Sequence, residues 1–232
     1  MKKQIPILMY HDISNEPWQP NILPVAPQIF EAQLALLAKM KFHFLSLQDF
    51  FARGCRSNLH EKNVVITFDD GYKSHIQEAL PILKRYNATA TFFIAPGFIG
   101  NPGYMNWDEI RILKTEGMEI GSHSYSHAWL PGVKDSKELI WETHHSKEII
   151  EAELRTPVSF FCYPLGGTNE VVSQAVAQAG YQAAVISGNC VPRVIPKEFR
   201  IPRIKIKPHD KNVRLLAKAS GFYTLFSTKT KN

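Results

Sequence analysis

A chain of 232 residues, 44% hydrophobic and 21% charged, has the size and composition of one globular domain that can bury a core without disulfide staples. Its net charge of +6 is spread along the sequence rather than interleaved with aromatic side chains, which argues against a nucleic-acid-binding face. No apolar run approaches the roughly 18 residues of a membrane span, so stable membrane insertion is not expected.

The opening MKKQIPILMYHDIS starts with two lysines, as a secretion signal does. Its apolar stretch at 5–10 is short, however, and runs into polar residues without a cleavage site. It is read as a first strand, 5–11, of a cytoplasmic protein. A helix over 28–40 carries Phe30, Leu34, Leu37 and Met40 on one stripe. Strands at 42–47, 64–69 and 90–95 follow; VVITF and TFFIA in the last two are apolar throughout, as strands covered on both faces are. Helices are expected at 75–86 and 107–116, a strand at 118–122 and a long helix at 137–154. Beyond them come strand 159–163, helix 170–179, strands 183–187 and 203–207, and helix 212–219. Gly117 and Gly180 stand where left-handed helix caps belong. Residues 221–232 read as a flexible basic tail. Cys55, Cys162 and Cys190 are odd in number, form no CxxC pair, and read as isolated thiols in a reducing compartment. This strand–helix alternation predicts an α/β fold with a parallel sheet, and about seven to eight strands suit a barrel in a single domain, 1–232.

Active sites of such sheets form at the carboxyl ends of the strands. Tyr10-His11-Asp12, TFDDG (67–71), HSYSH (123–127) and Tyr163-Pro164 all fall there. The adjacent carboxylates Asp69 and Asp70 repel each other unless a cation or proton relieves them. Gly71 permits the turn that brings both into one cleft. His123 and His127, four residues apart, share a face on a helical turn, and no Glu follows the first His as in an HExxH zincin. Two imidazoles and one carboxylate leave coordination positions open for water and substrate, with the second carboxylate free to act as a base.

TFDDG, then GMEIGSHSYSH, then FCYPLGG resembles the motif series of the polysaccharide deacetylases, carbohydrate esterase family 4 with its NodB-homology domain. The resemblance runs from ILMYHDI to RIPRIKI, nearly the whole chain. It implies a distorted (β/α) barrel and metal-dependent hydrolysis of the acetamido group of an N-acetylated sugar or polysaccharide. By position it implies Asp69 as general base and Asp70, His123 and His127 as ligands of a divalent metal, zinc first, with cobalt, nickel or iron also accepted by such a set. It further implies the main-chain N–H of Tyr163 as oxyanion donor, with Pro164 and Trp129 near the substrate.

Many members begin the third motif with an arginine, where this chain offers Phe161 or Cys162. That form is similar to the branch acting on poly-β-1,6-N-acetylglucosamine. Arg203 either takes over the arginine's electrostatic role or is a surface residue on an edge strand. His11 either protonates the leaving amine or holds substrate, the other reading being a structural hydrogen bond; His209 lies in an exposed turn. His43, His60, His75, His144 and His145 read as surface residues, Tyr104 and Trp129 as groove aromatics, and Trp107 as core. Two other functions stay open: a small-molecule C–N hydrolase of allantoinase or cyclic-imidase type, and a non-catalytic carbohydrate-binding protein.

Overall fold

Side chains alternate between the two faces of a strand, so each strand end aims a known subset of its residues into a closed sheet. The computed structural model describes residues 2–16, 23–58, 60–188 and 198–220. Its strands are β1 (Lys2–Gln4), β2 (Ile7–Tyr10), β3 (His43–Leu45), β4 (Arg56–Asn58), β5 (Asn63–Phe68), β6 (Thr91–Ile94), β7 (Glu119–Ser122), β8 (Phe160–Cys162), β9 (Ala183–Gly188) and β10 (Ile201–Lys205). Strands β2, β10, β9, β8, β7, β6 and β5 are parallel neighbours in that order, and β2 pairs with β5 through Ile7↔Val65 to Tyr10↔Phe68, which closes the barrel. β3 and β6 share the remaining edge of β5. β3 pairs with its first half (Leu45↔Val65) and β6 with its end (Thr67↔Thr91), so the cylinder is split at its amino-terminal side and β3 fills the split. The expected distorted barrel is thus seven strands in closure and an eighth beside them.

The period of two sorts the apolar residues into two clusters. Ile7, Leu45, Leu47, Phe50, Val65, Phe93, Phe160 and Val185 fill the barrel's lower interior. Leu8, Tyr10, Phe30, Leu34, Val64, Phe68 and Phe92 pack outward beneath the helices, with the Phe68 and Phe92 rings stacked at 4.7 Å. Each such fully buried side chain contributes about 1.5–3 kcal/mol. Moving up the same inward columns, the residues turn polar: Thr67, Asp69, Cys162, Ser187, Arg203 and Lys205 face the carboxyl end. The site is the polar cap of the apolar interior.

Several helices begin on residues that satisfy free N–H groups. Asn106 and Glu109 form a capping box for Trp107–Thr115, and Asp135 and Asn169 cap Ser136–Ile140 and Glu170–Gln178. The stretch 136–154 runs on through a π-helical turn at Trp141–His145, and the helix ending at Arg85 opens with another at His75–Ala79. Gly117 and Gly180 both take φ of +81°, as caps.

Two features differ from the sequence reading. The strand expected over 42–47 stops at Leu45, because the Ser46 hydroxyl accepts from the Asp49 N–H and starts the helix Leu47–Ala52. That helix plugs the barrel floor, with the Glu119 carboxylate accepting from the Leu47 and Gln48 N–H groups and the Thr91 hydroxyl. The β1–β4 ribbon was also not anticipated, since three-residue strands carry no periodic signal. The tail at 221–232 and Cys190 lie outside the described residues. Among the described residues no helix is long and apolar enough to cross a membrane.

Candidate active site

The Asp69 N–H still donates to the Tyr10 carbonyl at 3.2 Å, so Asp69 keeps strand geometry and points inward like Thr67 two residues before it. The chain then turns sharply. Asp70 and Gly71 take φ of +76° and +79°, and this double left-handed step swings the Asp70 carboxylate back over the barrel mouth. Asp tolerates that region and Gly is free in it. The two carboxylates therefore meet one cavity, of about 410 Å3, from different directions.

Each carboxylate has its own partners. Asp69 receives a two-pronged bond from Arg203, Nη1 to Oδ1 at 2.7 Å and Nη2 to Oδ2 at 2.7 Å. The guanidinium also donates to the Thr67 hydroxyl at 3.0 Å and lies over the Phe93 ring at 5.4 Å. Arg203 is fully buried, and β10 sits between β2 and β9, so the surface, edge-strand reading of Arg203 is corrected. Cys162 lies beside this guanidinium as it enters from β10, and its sulfur accepts from Nη2 at 3.0 Å. Burial alone raises the Asp69 pKa, but the charge and hydrogen bonds of Arg203 outweigh it and hold the carboxyl below its usual value.

Asp70 faces the two imidazoles. Its Oδ1 lies 3.4 Å from His123 Nε2 and 3.3 Å from His127 Nε2, and the three ligand atoms fall within 4.8 Å of one another. Those separations are longer than a formed N–H···O bond. They match the roughly 3.3–3.4 Å between ligand atoms held at about 2.0–2.1 Å around a tetrahedral ion. His123 Nδ1 donates to the Cys162 carbonyl at 2.8 Å, which fixes the ring with Nε2 turned toward Asp70. The donor set fits a divalent cation. Burial opposes ionisation of Asp70, yet the facing imidazoles, His123 foremost, hold its pKa well below the carboxylate range.

The helical-turn reading of HSYSH is corrected. Residues 123–129 are a loop, with Ser124 at φ +61° and His127 at φ +60°. The imidazoles converge, ring centroids 4.9 Å apart, because the chain doubles back. Glu142, which the sequence did not single out, fixes that loop: its buried carboxylate accepts from the Tyr125 and Ser126 N–H groups and from the Ser126 hydroxyl.

His11 lines the cavity, and burial keeps its imidazole pKa below the usual value. Its carbonyl accepts from His75 Nε2 at 2.8 Å. His75 is itself completely buried, which corrects its surface reading; Phe68, Phe92 and Tyr72 enclose it. Tyr104 lines the cavity as expected, stacked on Tyr72 at 5.4 Å.

The oxyanion expectation for Tyr163 does not hold. Its main-chain N–H donates to the Val185 carbonyl at 3.1 Å in the sheet, and its ring and Pro164 are buried away from the cavity. Leu165 lines the cavity instead. At φ +56° it is the second residue of the single turn Pro164–Gly166, where an N–H has no partner within the helix. Trp129, 56% exposed, also lies outside the cavity lining and packs on the backbones of Gly132 and Gly167.

With this geometry in view, three likenesses bear on the chain. It is 29% identical over 206 residues to the protein YxkH of Bacillus subtilis, covering 88% of this chain and 72% of that one. It is 25% identical over 212 residues to a poly-β-1,6-N-acetyl-D-glucosamine N-deacetylase of Staphylococcus aureus, covering 86% of this chain and 73% of that one. The solved structure of the Streptococcus pyogenes deacetylase PplD in complex with acetate superposes with a TM-score of 0.85 at 26% identity, over 94% of this chain and 99% of that one. The polysaccharide deacetylase family model matches residues 56–184, which hold both carboxylates, both imidazoles and the Leu165 turn, and the chain belongs to that family.

Proposed function

We propose that the protein is a metal-dependent N-deacetylase that hydrolyses the acetamido group of N-acetylglucosamine units in a polysaccharide, with the chain forming one catalytic domain. The observation that carries this reading is the division of labour between two adjacent buried carboxylates, Asp69 paired to Arg203 and Asp70 to two imidazoles. Asp70, His123 and His127 hold a divalent cation, zinc by the chemistry of the set. A cation bound there supplies Lewis-acid polarisation of the acetyl carbonyl and a lowered pKa for water.

The remaining steps belong to the chain. Asp69 keeps lone pairs beyond its two guanidinium bonds and accepts the proton of the attacking water. Arg203 fixes its orientation and keeps it ionised at neutral pH. The Leu165 N–H donates to the carbonyl oxygen as negative charge develops there, in place of Tyr163. Water oxygen bonds to the carbonyl carbon, the C–N bond breaks, and the amine nitrogen takes a proton. Asp69 is a weak base because of Arg203 and does not retain that proton. His11, neutral at rest and facing the same cavity, relays it to the leaving amine.

Acetate release from N-acetylated oligosaccharides and from cyclic imides tests the reading, using zinc-loaded, chelated and Asp69→Asn protein. Acetate is expected from the sugars alone. It should be abolished by chelation, restored by zinc, and lowered about 10²–10⁴-fold by Asp69→Asn. Imide hydrolysis without acetate release would move the protein to the small-molecule C–N hydrolases.

A further inference from the structure

Strand β10 stacks two cations on one face. Arg203 and Lys205 are two positions apart and so point the same way, Arg203 inside the barrel and Lys205 one step nearer the mouth. Their surroundings differ. Asp69 neutralises Arg203 completely, whereas Lys205 makes no ion pair among the described residues. The Lys205 backbone is fixed, since its residue pairs with Met9 in the barrel and its carbonyl accepts from Lys218 at 2.7 Å. Among the described residues, the only acidic ones lining the cavity are Asp69 and Asp70. One is cancelled by Arg203 and the other is a ligand of a doubly charged ion. A loaded cavity therefore carries excess positive charge, and Lys205 is the part of it not engaged with protein. Lys205 is exposed at the cavity mouth, whose lining also includes the apolar Leu23, Val25 and Ile206. Lys205 is also near enough to His11 to oppose its protonation.

We propose that Lys205 is a specificity residue that selects acetylated sugars bearing an anionic substituent, a phosphate ester or a carboxylate, close to the scissile amide. This rests on the deacetylase reading and narrows it. A neutral sugar in the same cavity gains no ion pair from the ammonium, so the discrimination lies in what the anion adds. An anionic one gains a charge-assisted hydrogen bond, and a cavity of this sign draws anions toward it.

The test compares methyl N-acetylglucosaminide, N-acetylglucosamine 1-phosphate and N-acetylmuramic acid as substrates of the zinc enzyme in wild type, Lys205→Gln and Lys205→Arg. Calorimetry on the same proteins measures binding of the deacetylated counterparts, which do not turn over. At least one anionic sugar should exceed the neutral glycoside by about tenfold in kcat/KM, the size of one charge-assisted bond. Which of the two does so tells phosphate from carboxylate. Lys205→Gln should remove that advantage through KM while leaving the neutral glycoside within about twofold, and Lys205→Arg should keep it. Equal use of all three sugars by the wild type, or a preference that survives Lys205→Gln, overturns the proposal. If no sugar releases acetate, the deacetylase reading fails. The calorimetric preference for anionic products, and its loss in Lys205→Gln, then decides the role of Lys205 by itself.

Discussion

Replacing Arg203 by methionine removes both guanidinium bonds from Asp69, each 2.7 Å, together with the bond to Thr67 at 3.0 Å. The methionine fills much of the volume over Phe93, so the loss is electrostatic more than steric. Asp69 is 1% exposed and is paired with no other lysine or arginine among the described residues, so Arg203→Met leaves a buried charge without its main compensation. Breaking a buried pair from one side costs about 3–5 kcal/mol. Part of that is escaped if Asp69 takes a proton, and a protonated Asp69 is no longer a base. Stability and activity should therefore fall together, by about 3 kcal/mol or more in urea unfolding and by about 10²–10⁴ in kcat for acetate release. Arg203→Lys keeps the charge but not the fork and should lie between. The double variant Asp69→Asn/Arg203→Met should be more stable than the sum of the singles, because it removes the stranded charge. An Arg203→Met protein that unfolds within 1 kcal/mol of wild type and keeps its kcat would refute the reasoning.

Three further outcomes follow from the packing. A Cβ on Gly121 would stand 2.5 Å from the Phe93 ring and 3.1 Å from the Phe160 carbonyl, so Gly121→Ala should lose about 1–3 kcal/mol by thermal unfolding; an unchanged melting temperature would contradict it. His75, buried without charge, has its pKa lowered from 6.5 to about 4, mainly by desolvation. The unfolded chain then binds a proton that the folded one refuses, so this contribution is complete above pH 6.5 and about 3 kcal/mol is lost as pH falls from 6.5 to 4. Urea titrations across that range should show the slope in wild type and a shallower one in His75→Gln. Tyr163→Phe should leave kcat/KM within about twofold, since the ring lies in the core and the Tyr163 main chain in the sheet; a hundredfold fall would return Tyr163 to the cavity.

What the sequence determined by itself is local. Apolar runs such as VVITF and TFFIA, bounded by helix caps, are enough to define parallel strands, because burial on both faces leaves no polar position within them. TFDDG and HSYSH mark the site because adjacent carboxylates and spaced imidazoles are costly without a shared cation. Only the tertiary structure decided how those groups are aimed. Left-handed φ at Asp70, Ser124 and His127 turns the ligands inward, so the imidazoles converge through a loop and not through the helical turn that their spacing suggested. The partner of Asp69 arrives from Arg203, 134 residues away, because barrel closure brings β10 beside β2. The burial of His75 and the engagement of the Tyr163 N–H likewise depend on which surfaces meet across the barrel. Spacing along a chain carries no record of such meetings.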